Sequence, residues 1–336
     1  MRLKGLLMLS TSLLLVGCSP RVATSFWRIG TPAASVRPGY AVLHEGKKVR
    51  HCYPITEWTD TPDNDTYHSL HHHGVAVESE LMAYRIYFDK KQTIDVYCKR
   101  TPRLELGSSY WYPNDSLLAL GYGDDILRVS GTVGVGSVKY WNGKKHTHIE
   151  PVAERQQRIV RQSRSAATIE VAVKDWQIEG KLVDMAVQYT LRAGHRAMRC
   201  DVTLSEPIEG LCTGVQSIPA KPTEQQQSDW VCDELPNGVL LASWGTDWPV
   251  NDTVKYAKET VGLAVFIPKE YAGEPVYDKS NNLCILRQTE DRSQKSGSYH
   301  AHFYLTCVGA TKENAPVATN MSEWKDYLHS WTAGLK

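Results

Sequence analysis

The densest collection of reactive side chains in this sequence is Tyr67-His68-Ser69-Leu70-His71-His72-His73-Gly74, with Glu78, Glu80, Tyr84 and Arg85 close behind it. Histidine takes or gives a proton near neutral pH, tyrosine and carboxylic acids donate one, and arginine stabilises developing negative charge. If Val75 begins a strand, alternation puts Val75, Val77, Leu81 and Ala83 on one face, towards a core. Glu78, Glu80 and Tyr84, with His72, then share the other face, an exposed cleft. Arg85 has the wrong parity for that cleft, so the scheme requires a bulge or a pairing beneath the sheet. The catalytic candidates on this reading are His72, His73, Tyr84, Arg85 and Glu78; the bland alternative is a solvated outer face. Alternation also leaves His71 and His73 able to share a divalent metal, the one cofactor the residues raise, although the helical His-Glu-x-x-His pattern is missing.

Two further clusters carry polar chemistry. Gly121-Tyr122-Gly123-Asp124-Asp125 is an acidic turn, and Trp244-Gly245-Thr246-Asp247-Trp248-Pro249 sets two indoles around a carboxylate. Flat aromatic faces beside hydroxyl acceptors suit sugar rings. The second loop is therefore expected to line a sugar site, with Trp244, Asp247, Trp248, Asp124, Asp125 and His300 as binding residues. Burial of an indole in the core is the competing reading, more so for Trp248 than for Trp244. Gly131 to Gly136 is glycine-rich but lacks the Lys-Ser/Thr ending of a phosphate loop, and that function is excluded.

Strands must position these groups. Leu182 to Leu191 alternates Val183, Met185, Val187, Tyr189 and Leu191 onto one face. Ala193 to Arg196 turns the chain, and Met198, Cys200, Val202 and Leu204 return as a hairpin partner. Val239 to Ser243, Val261 to Ile267 and Ala301 to Cys307 read as further strands. Trp324, Tyr327, Leu328 and Trp331 recur at helical spacing before Gly334. The expected fold is all-β, a large antiparallel sandwich with a short C-terminal helix.

Compartment is read from the first residues. Arg2 and Lys4 precede an apolar run from Leu6 to Val16, too short for a bilayer span, which ends in Leu15-Val16-Gly17-Cys18. This is a bacterial lipobox pattern. It predicts a leader over 1–17, lipidation at Cys18, a proline-rich tether over 18–38 and one catalytic domain over 39–336. The expected place is the periplasmic face of a membrane, the outer one, held by acyl chains. With 38 basic and 37 acidic residues, nothing draws the chain to nucleic acid. Seven cysteines follow Cys18 without a Cys-x-x-Cys pair, so at least one thiol stays free.

The run His71-His72-His73-Gly74 with Glu78, Glu80, Ala83 to Asp89 and Ile94-Asp95 resembles DUF4861, a family of domains of unknown function. Gly123-Asp124-Asp125, Tyr189-Thr190-Leu191, Ala193 to Arg196 and Trp244 to Pro249 resemble it as well, so the similarity runs from Gly39 to Trp331. The resemblance implies a galactose-mutarotase-like supersandwich. It also implies company with enzymes that degrade acidic polysaccharides in gut and marine Bacteroidota, and a uronate-oligosaccharide dehydratase type of chemistry. The leading expectation is β-elimination on an acidic oligosaccharide, by dehydration or by lyase cleavage. A base removes the C5 proton beside the carboxylate, and an acid assists departure of the C4 group. A glycoside hydrolase using Glu78 and Glu80 and a non-catalytic glycan binder built on Trp244 and Trp248 are the alternatives.

Overall fold

Period-two burial governs the chain from end to end. In the strand Lys181–Arg192, Val183, Met185, Val187, Tyr189 and Leu191 point inward while their neighbours face out. Gly194, at φ 76°, makes the turn. Met198–Leu204 then pairs back with Met185 opposite Leu204 and Leu191 opposite Met198. A computed structural model describes residues 21–30, 41–45, 48–62, 66–291 and 297–335. Cys18 and the leader lie outside them.

Among the described residues the strands form four sheets, and every paired strand in them is antiparallel. A ten-stranded sheet runs from Asp229–Leu235 at one edge to Glu57–Asp60 at the other, through Ser298–Gly309 near its middle. Two five-stranded sheets and a three-stranded sheet complete the set. One apolar cluster joins Val75, Ile86 and Val96 to Ile169, Tyr189, Phe303 and Leu305, and extends to Val215 and Leu286. The two smaller sheets therefore pack on the large one, and the fold is an antiparallel β-sandwich.

The expected tether is shorter than its sequence indicated. Val22–Ser25 is an edge strand paired with Gly74–Ser79, and Trp27–Ile29 pairs with Lys48–Pro54. Val22 and Phe26 are buried. Two apolar anchors outweigh the prolines that flank them. All seven described cysteines are free thiols, and only Cys232 among them is exposed.

The C-terminal helix, Met321–Ala333, starts on Asn320, whose side chain accepts the Glu323 N–H, and ends at Gly334. Trp324 and Leu328 are buried against Leu240, Trp244, Phe266 and Val308, on the face of the large sheet opposite the main core. Trp324→Ala should therefore lower stability by about 3–5 kcal/mol, read as a drop in urea midpoint. An unchanged midpoint would mean that the helix melts separately from the sheet.

Candidate functional site

The sheet ordered Val22–Ser25, Gly74–Ser79, Met82–Tyr87, Ile94–Cys98, Asp124–Asp125 builds the site. Its inner face gives Val75, Val77, Met82, Tyr84, Ile86 and Val96 to the core. Its outer face carries Ala76, Glu78, Ala83, Arg85 and Tyr87, and pairing puts Asp95 opposite Arg85 and Tyr97 opposite Asp125. The parity expected from a continuous run does not survive the turn at Glu80 and Leu81, which separates two strands. Arg85 is thus on the functional face without any bulge. Tyr84 is on the other side, fully buried, donating to the Arg196 carbonyl, and it is removed from the catalytic candidates.

Arg85 is the hub of the outer face. Fully buried, it pairs with Asp95, lies 3.2 Å from Asp125 and donates to the Trp111 carbonyl at 3.1 Å. Its guanidinium carbon sits 4.3 Å from the centre of the Tyr97 ring and 5.6 Å from that of Tyr112. Tyr87 donates to Asp95 at 2.8 Å. Burial, together with the charge of Asp95, pushes the Asp125 carboxyl well up, against the opposing pull of Arg85. One guanidinium between two buried carboxylates leaves a proton to be held there. Asp124 shows how strictly alternation separates neighbours. It pairs opposite Cys98, away from Arg85, and burial raises it to about 6.

The histidine triplet is not the start of a strand. It forms a tight turn, His71–His73, in which His72 (φ 58°) and His73 (φ 60°) both occupy the left-handed region. That conformation is uncommon for side-chain-bearing residues and concentrates at functional sites. Gly74 follows at φ 155°, where a Cβ would collide with the Ile86 carbonyl. His71 and His72 are fully buried rather than exposed in a cleft. His71 donates from Nε2 to the Ser109 carbonyl at 2.7 Å and meets Ser25 Oγ through Nδ1 at 3.3 Å. Both its nitrogens are committed, so a metal shared by His71 and His73 does not fit this donor set. Nor, among the described residues, do three or more His, Cys, Asp or Glu side chains gather as metal ligands. His72 donates from Nε2 to the Leu106 carbonyl at 3.0 Å, and its Nδ1 is buried without a partner. It holds the covering segment down and does not face a cleft.

His73 is different. It is half-buried, its ring stacked on Tyr67 at 4.1 Å between centroids and 4.3 Å from Trp111. Nδ1 lies 3.1 Å from the Tyr67 carbonyl. A carbonyl only accepts, so Nδ1 carries the proton and Nε2 a lone pair. Burial first, and then the charge of Arg85, lowers His73 to about 3. It is therefore neutral at pH 7, with an unprotonated lone pair on Nε2 whose basicity burial and Arg85 both weaken.

The remaining expected residues divide sharply. Glu78 pairs with Lys99 and accepts the N–H groups of Glu105 and Leu106 at 2.7 and 3.0 Å, fastening the segment that covers the sheet. Glu80 pairs with Arg21 and accepts the Gly194 N–H. Trp244 is core, packed with Trp324, and Gly262 is bare where a Cβ would press on both indoles. Asp247 is held by Arg128 at 3.0 Å, and Trp248 is only half-buried, so the structural and exposed roles expected of the two tryptophans are reversed. His300 lies beside Ser298 and Thr203. It is nine residues, about 30 Å of strand, from the Gly309 end that touches Cys98, and it has no part in this site.

Sequence reasoning passed over Tyr67, Tyr87, Asp95, Tyr97, Trp111, Tyr112 and Tyr256 as site members. The run Tyr110-Trp111-Tyr112-Pro113 was the readable signal, an aromatic patch next to no strand pattern. Tyr112 and Tyr256 meet edge to face at 6.3 Å, so the loop after Trp248 reaches the same rim. The arrangement joins a neutral base, protonated phenols and flat aromatic walls over a buried cation. No curated protein matches the chain. The family model described as a domain of unknown function, DUF4861, matches residues 33–336. The chain belongs to the DUF4861 family.

Proposed function

We propose that this protein is a carbohydrate-active enzyme that performs β-elimination on uronic-acid-containing oligosaccharides, with His73 as the base. The observation that carries the reading is the lone pair on His73 Nε2, fixed by the bond from Nδ1 to the Tyr67 carbonyl and walled by Tyr67 and Trp111. The aromatic faces offer a seat to the C–H face of a pyranose. Nε2 takes the C5 proton, the released pair forms the C4–C5 double bond, and the C4–O bond breaks. The departing oxygen takes a proton from a phenol. Tyr112 serves, since burial holds its hydroxyl up at about 12 and Arg85 lies beside it. Arg85, with its charge balanced by Asp95 and Asp125, holds the Tyr97 ring and the Trp111 segment in place beneath the site.

The hydrolase alternative draws no support from Glu78 and Glu80, because each is already engaged as an ion-pair partner and backbone acceptor. The glycan-binder alternative loses its platform with Trp244 in the core. Mass spectrometry of acidic oligosaccharides after incubation tests the reading. Loss of one water marks dehydration, and two fragments with no water added mark lyase cleavage. Gain of water, or no change over a broad panel of uronate oligosaccharides, would sink it.

We also propose, from the Leu15-Val16-Gly17-Cys18 pattern, that a lipid anchor at Cys18 holds the protein facing the periplasm. Cys18→Ala should move the protein from the membrane pellet to the soluble fraction. Continued sedimentation of the variant would remove Cys18 as the anchor.

A further inference from the structure

Tyr67 belongs to two places at once. Its ring stacks on His73, and it also lines a second cleft of about 790 Å³ together with Lys90, Lys91, Asp89, Glu150 and Arg155. The acids there are already matched, Glu150 to Lys90 at 3.2 Å and Asp89 to Lys91 at 3.3 Å. Arg155 is the unmatched charge. It is only 6% exposed, Nη2 donates to the Ile149 carbonyl, and Nη1 is buried with no partner.

The surroundings repeat the imbalance. Fully buried Lys139 donates to the Lys91 carbonyl, in the wall of the cleft, and reaches Thr93 Oγ1 at 3.3 Å. Gln92 Nε2, on the residue after Lys91, and His148 Nδ1, two residues before Glu150, are also buried without partners. Burial lowers Arg155 to about 10 and Lys139 to about 7, as happens to cations short of counter-charge. A buried guanidinium N–H without an acceptor is costly, and an oxyanion bound in the cleft supplies the acceptor and counter-charge that Arg155 lacks.

We infer that this cleft is an anion subsite, which takes a carboxylate or sulfate ester carried by the sugar next to the one presented to His73. Tyr67 forms the shared wall, so one oligosaccharide can occupy both. A guanidinium grips either oxyanion through paired N–H donors. The inference rests on the elimination reading for the identity of the neighbouring sugar, and it restricts substrates to oligosaccharides with acidic groups on adjacent residues.

Calorimetric titration of the full chain tests it with three disaccharide probes, each with a 4-deoxy uronate that has no group to eliminate. The second sugar is neutral in one, carboxylated in the next and sulfated in the third. At least one dianionic probe should bind roughly 10-fold or more tightly than the neutral-partner probe, and the tighter of the two names the anion. The preference should vanish in the double variant Lys90→Gln/Lys91→Gln, whose lysines are at the surface, or in Arg155→Lys. Equal or absent binding of all three probes by the wild type, or a preference retained in both variants, overturns the inference. Binding and turnover are read separately. An inactive protein that keeps its anion preference fails the elimination reading alone, and an active one with no preference fails the subsite alone.

Discussion

His73→Ala is expected to cut turnover on an acidic oligosaccharide by roughly 10²–10⁴-fold and to leave the melting temperature within a few degrees of wild type. The ring is only half-buried and contributes one hydrogen bond, from Nδ1 to the Tyr67 carbonyl. His73→Gln, which restores a polar group but no comparable base, should be nearly as slow. The rate profile adds a sign. As a base His73 works unprotonated, and with its pKa lowered to about 3 it stays so well below neutrality. The kcat/KM of the wild type should therefore show no acid limb near 6.5, where an ordinary histidine titrates. Near-wild-type turnover in His73→Ala would take this residue out of the mechanism. A limb at 6.5 would mean that another histidine carries the proton.

Arg85→Met should damage the fold severely, costing about 3–5 kcal/mol. The guanidinium sits with no exposed surface between Asp95 and Asp125, under the Trp111 carbonyl and against the Tyr97 ring. Removing it leaves two carboxylates buried together and frees the segment that bears Trp111. Arg85→Lys should rescue little, since an ammonium cannot reproduce the forked donors or the stacking. Urea unfolding reads the effect. A midpoint loss worth less than about 1 kcal/mol would show that the cluster is solvated and Arg85 is not its hub.

The two arms of the hairpin around Gly194 were legible because each buries one face only, and period two is then visible in the residues themselves. The C-terminal helix was legible for the same reason, through Trp324 and Leu328. The site sheet was not. The strand Gly74–Ser79 is buried on both faces, because the segment bearing Leu106, Tyr110 and Trp111 lies over the side that would otherwise be wet. Alternation of apolar and polar residues then no longer reports which side faces the core. The turn at Glu80 and Leu81 reset the parity, and that moved Tyr84 inward and Arg85 outward. Local sequence marked the histidines as important but had no way to rank them. Rank depends on the carbonyls of Ser109 and Leu106, which engage His71 and His72 from more than thirty positions away. Trp244 failed for a similar reason: the indole that fills the space over Gly262 comes from the far end of the chain.

The edge strand at Val22–Ser25 sets the length of a leash. Only four peptide steps separate Cys18 from Val22, and fully extended they span at most about 14 Å. With acyl chains on Cys18, as proposed, that edge of the sandwich stands within a headgroup's depth or so of the lipid surface. The strand it zips to, Gly74–Ser79, continues directly from the His73 turn. The site then works beside the bilayer, where a long, stiff polymer has little room to lie, and short oligosaccharides that have already crossed into that space do.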